Sequence, residues 1–381
     1  MPRRREVYTT LDMKVKAAVL FKPDSAFEIH DLELQPPKAG EVLVRIAVAG
    51  VCHSDWHLVT GATKHPMPVV AGHEGAGVVE AVGEGVKRVR AGNHVVLSWT
   101  PDCGQCFYCL RGKPNLCETF VGPIWAGTML DGTPRLLLDG KSVYHFCGLA
   151  TFATHAVVPE QSCVVVRKDV PLTVAALVGC AVATGVGAVM YTAGVRPGDS
   201  VVVFGCGGVG LSILQGAKLC GAHTLIAVDR NPAKLALSRQ FGATHAFLAD
   251  GKVVEEVRNV TGGRGAEHAF EAVGLPVVQE TALEAVRPGG TLTLAGLSAM
   301  GTGTNLPGAV ITRQEKTVKG SYYGSVHPRR DFPAFIDLFM SGQLDLERLI
   351  SKKYPLERIN EAYADMLTGE QARGVIVFRD S

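Results

Sequence analysis

The stretch SVVVFGCGGVGLSILQGAKL (residues 200–219) joins a strand-like apolar run to a helix-like run through the glycine-rich turn GCGGVG. In such a turn Gly205 makes the tight bend, Gly207 lets a dinucleotide pyrophosphate approach the backbone, and Gly210 allows close packing of helix on strand. The first helical turn then presents free N–H groups to the phosphates. The motif is weak evidence by itself in a chain with 44 glycines, so its surroundings must support it.

The residues that follow the turn supply the rest of a dinucleotide-binding unit. A second strand-like run, TLIAV, ends at Asp229. A carboxylate at this place accepts hydrogen bonds from the adenosine ribose diol and repels a 2′-phosphate, which favours NAD over NADP. The neighbouring Arg230 could instead pair with that phosphate. We expect NAD as the cofactor, with NADP as the alternative.

Strands and helices alternate around this unit. From about 182 to 322 the short runs SVVVFG, TLIAVD, HAFLAD, HAFEAVG and TLTLAG are separated by helical stretches, which predicts a Rossmann-type, doubly wound parallel sheet. Residues 14 to about 170 carry Val- and Gly-rich runs typical of a β-rich domain such as a distorted barrel. We predict an α/β protein with two domains, one of residues 182–322 and one of residues 1–181 that is rejoined by 323–381.

Composition limits the classes of partner. The chain of 381 residues is too long for one ordinary core, and 47% hydrophobic with 19% charged residues is typical of a globular protein. A net charge of +2 gives no electrostatic case for nucleic acid or an anionic membrane, and the basic cluster PRRRE at residues 2–6 is expected to be a tail outside the fold. We find no secretory signal and no uninterrupted apolar run of spanning length. A cytoplasmic location is expected.

Four cysteines lie within fifteen positions of PDCGQCFYCLRGKPNLC, at Cys103, Cys106, Cys109 and Cys117. Four thiolates at this spacing can close around one tetrahedral zinc ion, and the all-sulfur set leaves no open position, so a structural zinc lobe is predicted at residues 102–118. Disulfides are less favoured without a secretory signal. A zinc ribbon that binds nucleic acid has similar spacing, but the nearly neutral charge and the long α/β region argue against it.

Three other residues are candidates for a catalytic metal site: Cys52 in GVCHSDWH, His73 in AGHEGAG and Cys180 in LVGCAVATG. A catalytic zinc ion has three protein ligands and one open position, and two cysteines with one histidine form such a set. A single histidine usually has a structural role and packs against neighbouring side chains. Several of the residues around His73 are glycines, which have no side chains for such packing, so a structural role does not explain His73. Two zinc ions per chain are therefore expected.

These motifs, in this order and together with GHEGAGVVEAVGEGV (72–86), closely resemble those of the zinc-dependent medium-chain alcohol dehydrogenases, from about Val15 to Phe378. The resemblance implies a GroES-like catalytic domain whose last segment returns after the Rossmann domain, with the active-site zinc in the cleft between them. It further implies an enzyme that transfers hydride reversibly from a primary aliphatic or aromatic alcohol to NAD and yields the aldehyde.

The resemblance assigns roles around the zinc. Glu74 corresponds to a carboxylate behind the metal, and Asp55 to the aspartate that orients the ligand histidine. Ser54 corresponds to the hydroxyl that hydrogen-bonds the alcohol, and His57 to the outer end of a proton relay. Serine and aspartate beside a turn often only cap a helix, which is the simpler alternative for Ser54.

Other positions correspond to the cofactor and substrate contacts of the family. His53 and Arg373 match basic residues at the pyrophosphate, and Thr184 and Val209 match positions packed on the nicotinamide. The further expected cofactor contacts are Gly208 and Lys234. The residues that match the substrate pocket are Trp99, Phe146, Leu297 and Tyr322. Aromatic and aliphatic walls suit primary alcohols, although core packing would also account for each of these residues.

Two other functions stay open. The thiol-dependent formaldehyde dehydrogenase branch is similar in length and has histidine at the His53 position, but its glutathione-using members carry an arginine where this chain has Val121, and a tyrosine where it has His57. Both differences favour simple alcohols, whereas a mycothiol-type adduct remains an alternative. A zinc protein that binds nucleotide without catalysis is disfavoured because all three ligands are kept.

The segment 118–140 between the lobe and the catalytic domain is similar to an insertion in dimeric members of the family. Tetrameric members lack it, so the resemblance implies a homodimer.

Overall fold

The computed structural model describes residues 13–378, and the basic cluster at residues 2–6 lies outside this range. The strands of the described chain are β1 (Met13–Leu20), β2 (Glu28–Leu34), β3 (Glu41–Gly50), β4 (Val69–Val70), β5 (Gly75–Val82), β6 (His94–Leu97), β7 (Leu136–Leu138), β8 (Lys141–His145), β9 (His155–Pro159), β10 (Cys163–Val166), β11 (Ser200–Phe204), β12 (Thr224–Asp229), β13 (His245–Leu248), β14 (Ala266–Glu271), β15 (Val286–Leu294), β16 (Thr317–Gly320), β17 (Ile350–Tyr354) and β18 (Arg373–Val377).

The α-helices of residues 13–378 are α1 (His53–Val59), α2 (Glu118–Ala126), α3 (Leu172–Leu177), α4 (Ala183–Gly187), α5 (Gly208–Leu219), α6 (Pro232–Gln240), α7 (Val253–Val260), α8 (Pro276–Ala285), α9 (Gly308–Arg313), α10 (Pro328–Met340) and α11 (Ile359–Thr368).

The β-rich part contains a closed barrel, β1-β2-β7-β8-β4, and a sheet of seven strands in which β10-β6-β5-β3-β18-β17 are neighbours and β9 also pairs with β3. Strand β3 (EVLVRIAVAG) lies in the centre of this sheet and is buried along most of its length, as its β-branched, apolar sequence favours. It leads directly into GVCHSDWH, so a buried strand that pairs with β5, β9 and β18 positions Cys52 and α1.

The C-terminal strand β18 pairs antiparallel with β3, with Val375 opposite Gly50. The tail of the chain therefore returns to the first sheet and places Arg373 beside GVCHSDWH. The domain boundaries at 181/182 and 322/323 stay a prediction.

The six-stranded sheet is parallel throughout, in the order β13-β12-β11-β14-β15-β16. This is a doubly wound sheet of the Rossmann type, with helices between successive strands, as the alternating sequence pattern predicted. The strand order reverses between β11 and β14, and ligands of such sheets bind at the carboxyl ends of the strands at that point. The turn GCGGVG follows β11 there.

A helical segment, Leu172–Ala193, connects the β-rich part to the six-stranded sheet. Helices α3 and α4 are continued by wider π-helical turns at Val178–Val182 and Ala188–Ala193. By length and composition the segment is apolar enough to cross a membrane, although threonines and glycines interrupt its apolar run. However, 89% of its apolar window is buried within the fold. It is therefore a core helix, and its first π-helical turn carries Cys180.

Candidate active site

Three buried ligand atoms converge between the two sheets. Cys52 follows β3, His73 precedes β5, and Cys180 lies in the turn Val178–Val182. Their ligand atoms all lie within 4.8 Å of one another, and His73 Nε2 is 3.3 Å from Cys180 Sγ. Two sulfurs and one imidazole nitrogen at this separation fit a tetrahedral zinc ion that keeps one position open. The structure thus brings together the three residues that the sequence predicted as ligands.

The acid–base properties of the three side chains also suit a cation. A hydrogen bond from Cys180 and the charge of Arg373 hold the pKa of Cys52 well below its usual value, against the effect of burial. The same contact with Cys52, together with burial, raises the pKa of Cys180 well above its usual range. The negative charge of a thiolate is thus favoured at Cys52 and disfavoured at Cys180 when no cation is present. A divalent cation would stabilise both as thiolates, which is how metal binding releases protons.

Asp55 of α1 contacts the ring nitrogen of His73 that faces away from the ligand set. Its Oδ1 lies 3.1 Å from His73 Nδ1 and accepts a hydrogen bond of 2.9 Å from the Gly72 N–H. Because Nδ1 carries the proton toward Asp55, Nε2 is left free to bind a metal. Burial alone would lower the pKa of His73, but Asp55 raises it well above the usual value, which shows how strongly the carboxylate interacts with the ring.

Ser54 and His57 are three residues apart on α1 and share one face of the helix. Ser54 Oγ lies 3.7 Å from Cys52 Sγ, at the edge of the metal site. Cys52 is the N-cap residue of α1, and no side chain among residues 13–378 caps this end, so capping does not explain Ser54. His57 is half-buried, and burial lowers its pKa. Its neutral form, which accepts a proton, is therefore favoured.

Glu74 and Arg373 form a buried ion pair although 299 residues separate them in the sequence. Arg373 Nη2 donates to Glu74 Oε2, and its Nε lies 3.4 Å from Oε1. Burial raises the pKa of Glu74 to about 7, while Arg373 opposes this effect. The close fit explains Gly50, since a Cβ there would lie 2.2 Å from Glu74 Oε1. The pair links the residue next to His73 with the cofactor cleft.

A cleft lies between the glycine-rich turn and the returning tail. Its lining residues are Val51, His53, Gly207, Gly208, Lys234, Met366, Gln371, Ala372, Arg373 and Gly374. A Cβ at Gly207 would project into open space, and one at Gly208 would reach the Arg373 side chain at 3.5 Å, so the missing side chains keep the cleft open. Cationic groups beside the N-terminus of α5 suit a pyrophosphate.

The other glycines of the turn are required by its geometry. Gly205 has φ +94°, in the left-handed region that glycine favours. A Cβ at Gly210 would lie 1.8 Å from the Gly205 carbonyl oxygen, so only glycine allows α5 to pack so closely on the turn. Thr184 of α4 is buried, and a Cβ on its neighbour Gly185 would lie 2.5 Å from the Val209 carbonyl oxygen. Thr184 and Val209 are thus carried on closely packed elements.

Asp229 ends β12, as expected for a ribose-binding carboxylate. Its Oδ2 accepts a hydrogen bond of 2.7 Å from the Cys206 N–H, and its Oδ1 accepts one of 2.9 Å from the Asn231 N–H. These two bonds fix the orientation of the carboxylate, while Arg230 is exposed.

Asn231 has a structural role that the sequence analysis did not predict. Its Oδ1 caps α6, and its Nδ2 donates to the Gly369 carbonyl at 2.8 Å, tying the two sides of the cleft together. Asparagine before Pro232 signals the cap but not the second bond.

Aromatic side chains surround His73. The rings of Phe146 and Trp99 meet it edge-on, with centroids at 5.6 and 6.3 Å, and Tyr322 meets Trp99 at 5.2 Å. Three of the four predicted pocket residues therefore lie together beside the metal site. Leu297 is 54% exposed, and its place in the pocket stays a prediction. Trp125 of α2, which the sequence did not single out, meets Phe146 at 6.4 Å.

The four lobe cysteines form a second cluster, with all sulfurs within 4.8 Å of one another. Cys103 and Cys109 are 4.0 Å apart, and Cys106 and Cys117 are 3.9 Å apart. Sulfurs bound to a tetrahedral zinc ion at about 2.3 Å stand about 3.8 Å from one another, so the cluster fits that ion. Backbone N–H groups also point at the sulfurs, such as that of Cys106 at 3.3 Å from Cys103 Sγ.

Comparisons with known proteins agree with this geometry. A family model described as an alcohol dehydrogenase GroES-like domain matches residues 38–169, and one described as a zinc-binding dehydrogenase matches residues 208–341. An NDMA-dependent alcohol dehydrogenase of Amycolatopsis methanolica is 42% identical over 96% of this chain and 99% of its own length. An S-(hydroxymethyl)glutathione dehydrogenase of Photobacterium damsela subsp. piscicida is 39% identical, over 96% of this chain and 100% of its own length.

Among solved structures, benzyl alcohol dehydrogenase of Acinetobacter calcoaceticus superposes with a TM-score of 0.91 at 32% identity, over 96% of this chain and 99% of its own. The sequence similarity extends over both domains, and the shared fold includes both the β-rich part and the Rossmann sheet. The chain is an oxidoreductase enzyme and belongs to the zinc-dependent medium-chain alcohol dehydrogenase family.

Proposed function

We propose that the protein oxidises primary aliphatic or aromatic alcohols to aldehydes, reversibly, at the site formed by Cys52, His73 and Cys180. The observation that carries this proposal is the convergence of a buried ligand set of two cysteines and one histidine next to a glycine-lined cleft. A zinc ion at this site would supply Lewis acidity toward the alcohol oxygen, and NAD would supply the hydride acceptor. A second zinc in the lobe makes two per chain.

The protein's own residues provide a path for the alcohol proton. Ser54 Oγ is the inner group, because it lies at the edge of the ligand set. His57 is the outer group, because it follows Ser54 on the same face of α1 and is only partly buried. Since burial lowers its pKa, the His57 ring is neutral at physiological pH and can accept a proton and release it to solvent.

His57→Gln should lower kcat for alcohol oxidation about tenfold at neutral pH. This is less than the roughly 10²–10⁴-fold typical of general acid–base groups, because buffer can replace an outer relay group. In the wild type the rate should fall as pH drops through the lowered pKa of His57, since the protonated ring cannot accept. The kcat of the variant should not show this decrease at low pH, and it should approach the wild-type kcat at alkaline pH. A kcat–pH profile with and without added imidazole tests this; a variant with the wild-type profile would rule out the relay.

Residues on both sides of the cleft would hold the cofactor. Arg373 and Lys234 lie where they can neutralise the pyrophosphate, beside the N-terminus of α5. Burial lowers the pKa of His53, so its ring would contribute a hydrogen bond to the pyrophosphate. Asp229 is already oriented by two backbone N–H groups and can accept from the ribose diol, which supports NAD over NADP. Thr184 and Val209 are proposed to pack on the nicotinamide ring.

The aromatic side chains around His73 support a primary alcohol with an aliphatic or aromatic group. Trp99 and Phe146 narrow the space beside the His73 ring. This narrow space disfavours bulky secondary alcohols. The thiol-dependent formaldehyde dehydrogenase function is the alternative, because one relative is named S-(hydroxymethyl)glutathione dehydrogenase. Val121 is exposed and uncharged, so it offers no charged contact to a glutathione carboxylate.

The two functions are separated by an assay without added thiol. We expect NADH to form from benzyl alcohol or butanol and NAD in the absence of glutathione, and formaldehyde with glutathione to be no better a substrate. NADP in place of NAD should give a much lower rate. Turnover of formaldehyde that requires a thiol, with inert simple alcohols, would reverse the assignment.

The quaternary structure and location are part of the proposal. Strand β16 forms an edge of the six-stranded sheet, and exposed edge strands are natural sites for pairing with another chain. Exposed apolar residues, Met300, Leu306 and Val310, precede it and support a homodimer. Light scattering after size-exclusion chromatography tests this. All ten cysteines are unpaired, which agrees with a reducing, cytoplasmic location.

A further inference from the structure

The carboxylate that supports His73 has one oxygen without a partner. Asp55 is fully buried, and its Oδ1 interacts with both Gly72 and His73, whereas Oδ2 has no hydrogen-bond partner among residues 13–378. A buried carboxylate oxygen without a donor is unfavourable, so a donor is expected within reach.

A second buried group without a partner lies in the same place. Tyr363 belongs to α11 in the returning tail, is 1% exposed, and its hydroxyl has no partner in the described part of the chain. Its ring stacks on Phe27 at 5.4 Å and on Trp56, the residue next to Asp55, at 5.6 Å, and meets Phe152 edge-on at 6.3 Å. Three rings therefore fix the direction of the hydroxyl.

The two groups complement each other, since a phenol donates and a carboxylate accepts. Burial raises the pKa of Tyr363 well above its usual value, and the negative charge of the nearby Asp55 carboxylate raises it further. The hydroxyl therefore keeps its proton and remains a donor. A small side-chain movement, or one bridging water molecule, would join the two groups.

We propose that Tyr363 is a positioning residue of the metal site, whose hydroxyl donates to Asp55 Oδ2 so that Oδ1 stays directed at His73 and Nε2 stays directed at the metal. Tyr363 is buried and is not among the residues that line the cofactor cleft, so it would act through Asp55 and His73. The inference rests on the proposed zinc site. It extends the support of the ligand histidine from α1 to α11 in the C-terminal tail.

Tyr363→Phe tests the hydroxyl while it keeps the ring and its stacking. Loss of groups that support a ligand histidine typically weakens metal binding by about 10- to 100-fold. We expect a decrease of at least about tenfold in zinc affinity at the three-residue site, measured by competition with a chromogenic chelator, and no change at the four-cysteine lobe. The lobe in the same molecule thus serves as an internal reference.

Tyr191→Phe is the matched control. Its hydroxyl donates to Asp331, another buried aspartate, at 3.0 Å, and Tyr191 lies eleven positions beyond Cys180 in the sequence. This variant should keep wild-type zinc affinity at both sites. In an Asp55→Asn background, Tyr363→Phe should cause little further loss, because both changes interrupt one path.

The outcomes separate the inference from the function on which it rests. Wild-type zinc affinity in Tyr363→Phe, or an equal loss at both sites, would overturn the positioning role alone. A wild-type chain that binds only the lobe zinc would overturn the proposed function and this inference with it.

Discussion

Cys52→Ser is expected to lower kcat for alcohol oxidation by about 10³-fold or more and to leave one zinc ion per chain. Metal stabilisation of the developing charge is worth several kcal/mol, and each 1.36 kcal/mol corresponds to about a factor of ten in rate. A serine hydroxyl is nearly the same size as the thiol but does not ionise at neutral pH, so the ligand is removed and the path from β3 into α1 is preserved. Steady-state kinetics and zinc analysis of the same preparation measure both effects.

Cys163→Ser provides the control for this change. Cys163 in β10 is as deeply buried as Cys52 and belongs to neither cysteine cluster. It should keep both zinc ions and a kcat close to that of the wild type. If Cys52→Ser kept wild-type turnover, the three-residue site would not be the catalytic site.

Cys106→Ser is expected to have the largest effect on stability. Structural zinc contributes about 10–16 kcal/mol of binding free energy in small zinc-finger peptides, and only part of this should be coupled to the stability of a large chain. We expect a loss of about 3 kcal/mol, or about 6–12 °C in Tm for a domain of this size. The lobe zinc should be absent and the other retained.

Cys106→Ser should keep most of its kcat when the activity is assayed well below Tm, although its free energy of unfolding is lower. The sulfurs of the lobe form a cluster of their own, separate from Cys52, His73 and Cys180. One link between the lobe and the site is the Asn115 Nδ2–H bond of 2.8 Å to the Tyr322 carbonyl. A loss of kcat as large as that of Cys52→Ser would mean that the lobe takes part in catalysis. An unchanged Tm after loss of zinc would contradict its structural role.

The local chemistry of the site could be predicted from the sequence. The turn GCGGVG follows its strand and opens α5 as predicted, because glycines at these positions serve neighbours within a few residues. The four-cysteine lobe is equally local, with all ligands in fifteen positions. The assignment of one shared site to Cys52, His73 and Cys180 depended on the resemblance to a family as well as on their chemistry, because 107 residues separate His73 from Cys180.

Long-range pairing of polar groups could not be predicted. Glu74 and Arg373 were assigned separately to the metal and the cofactor, whereas the structure joins them, because β18 returns beside β3. Nothing in the sequence around Tyr363 indicates that its ring packs on Trp56, next to Asp55. Such contacts depend on the topology and not on a sequence period.

Two elements also escaped sequence reasoning for local reasons. Strand β2 (EIHDLEL) has four polar residues among its seven and buries only two, so it lacks the apolar run that is typical of a buried strand. The helical segment around Cys180 is rich in glycine, threonine and β-branched residues, which disfavour helix in isolation. Burial of nearly all its length in the core outweighs that preference.

The central claim is that zinc bound by Cys52, His73 and Cys180 is required for alcohol oxidation. The most direct test strips the protein with a chelator, returns zinc in measured amounts, and follows NADH formation from benzyl alcohol and NAD against the zinc content of each sample. Cys52→Ser gives the zinc content of a chain whose lobe alone is filled. We expect no NADH formation at the zinc content at which only the lobe is filled, and a linear rise in the rate up to full activity at two zinc ions per chain. Full activity with only the lobe filled would contradict it.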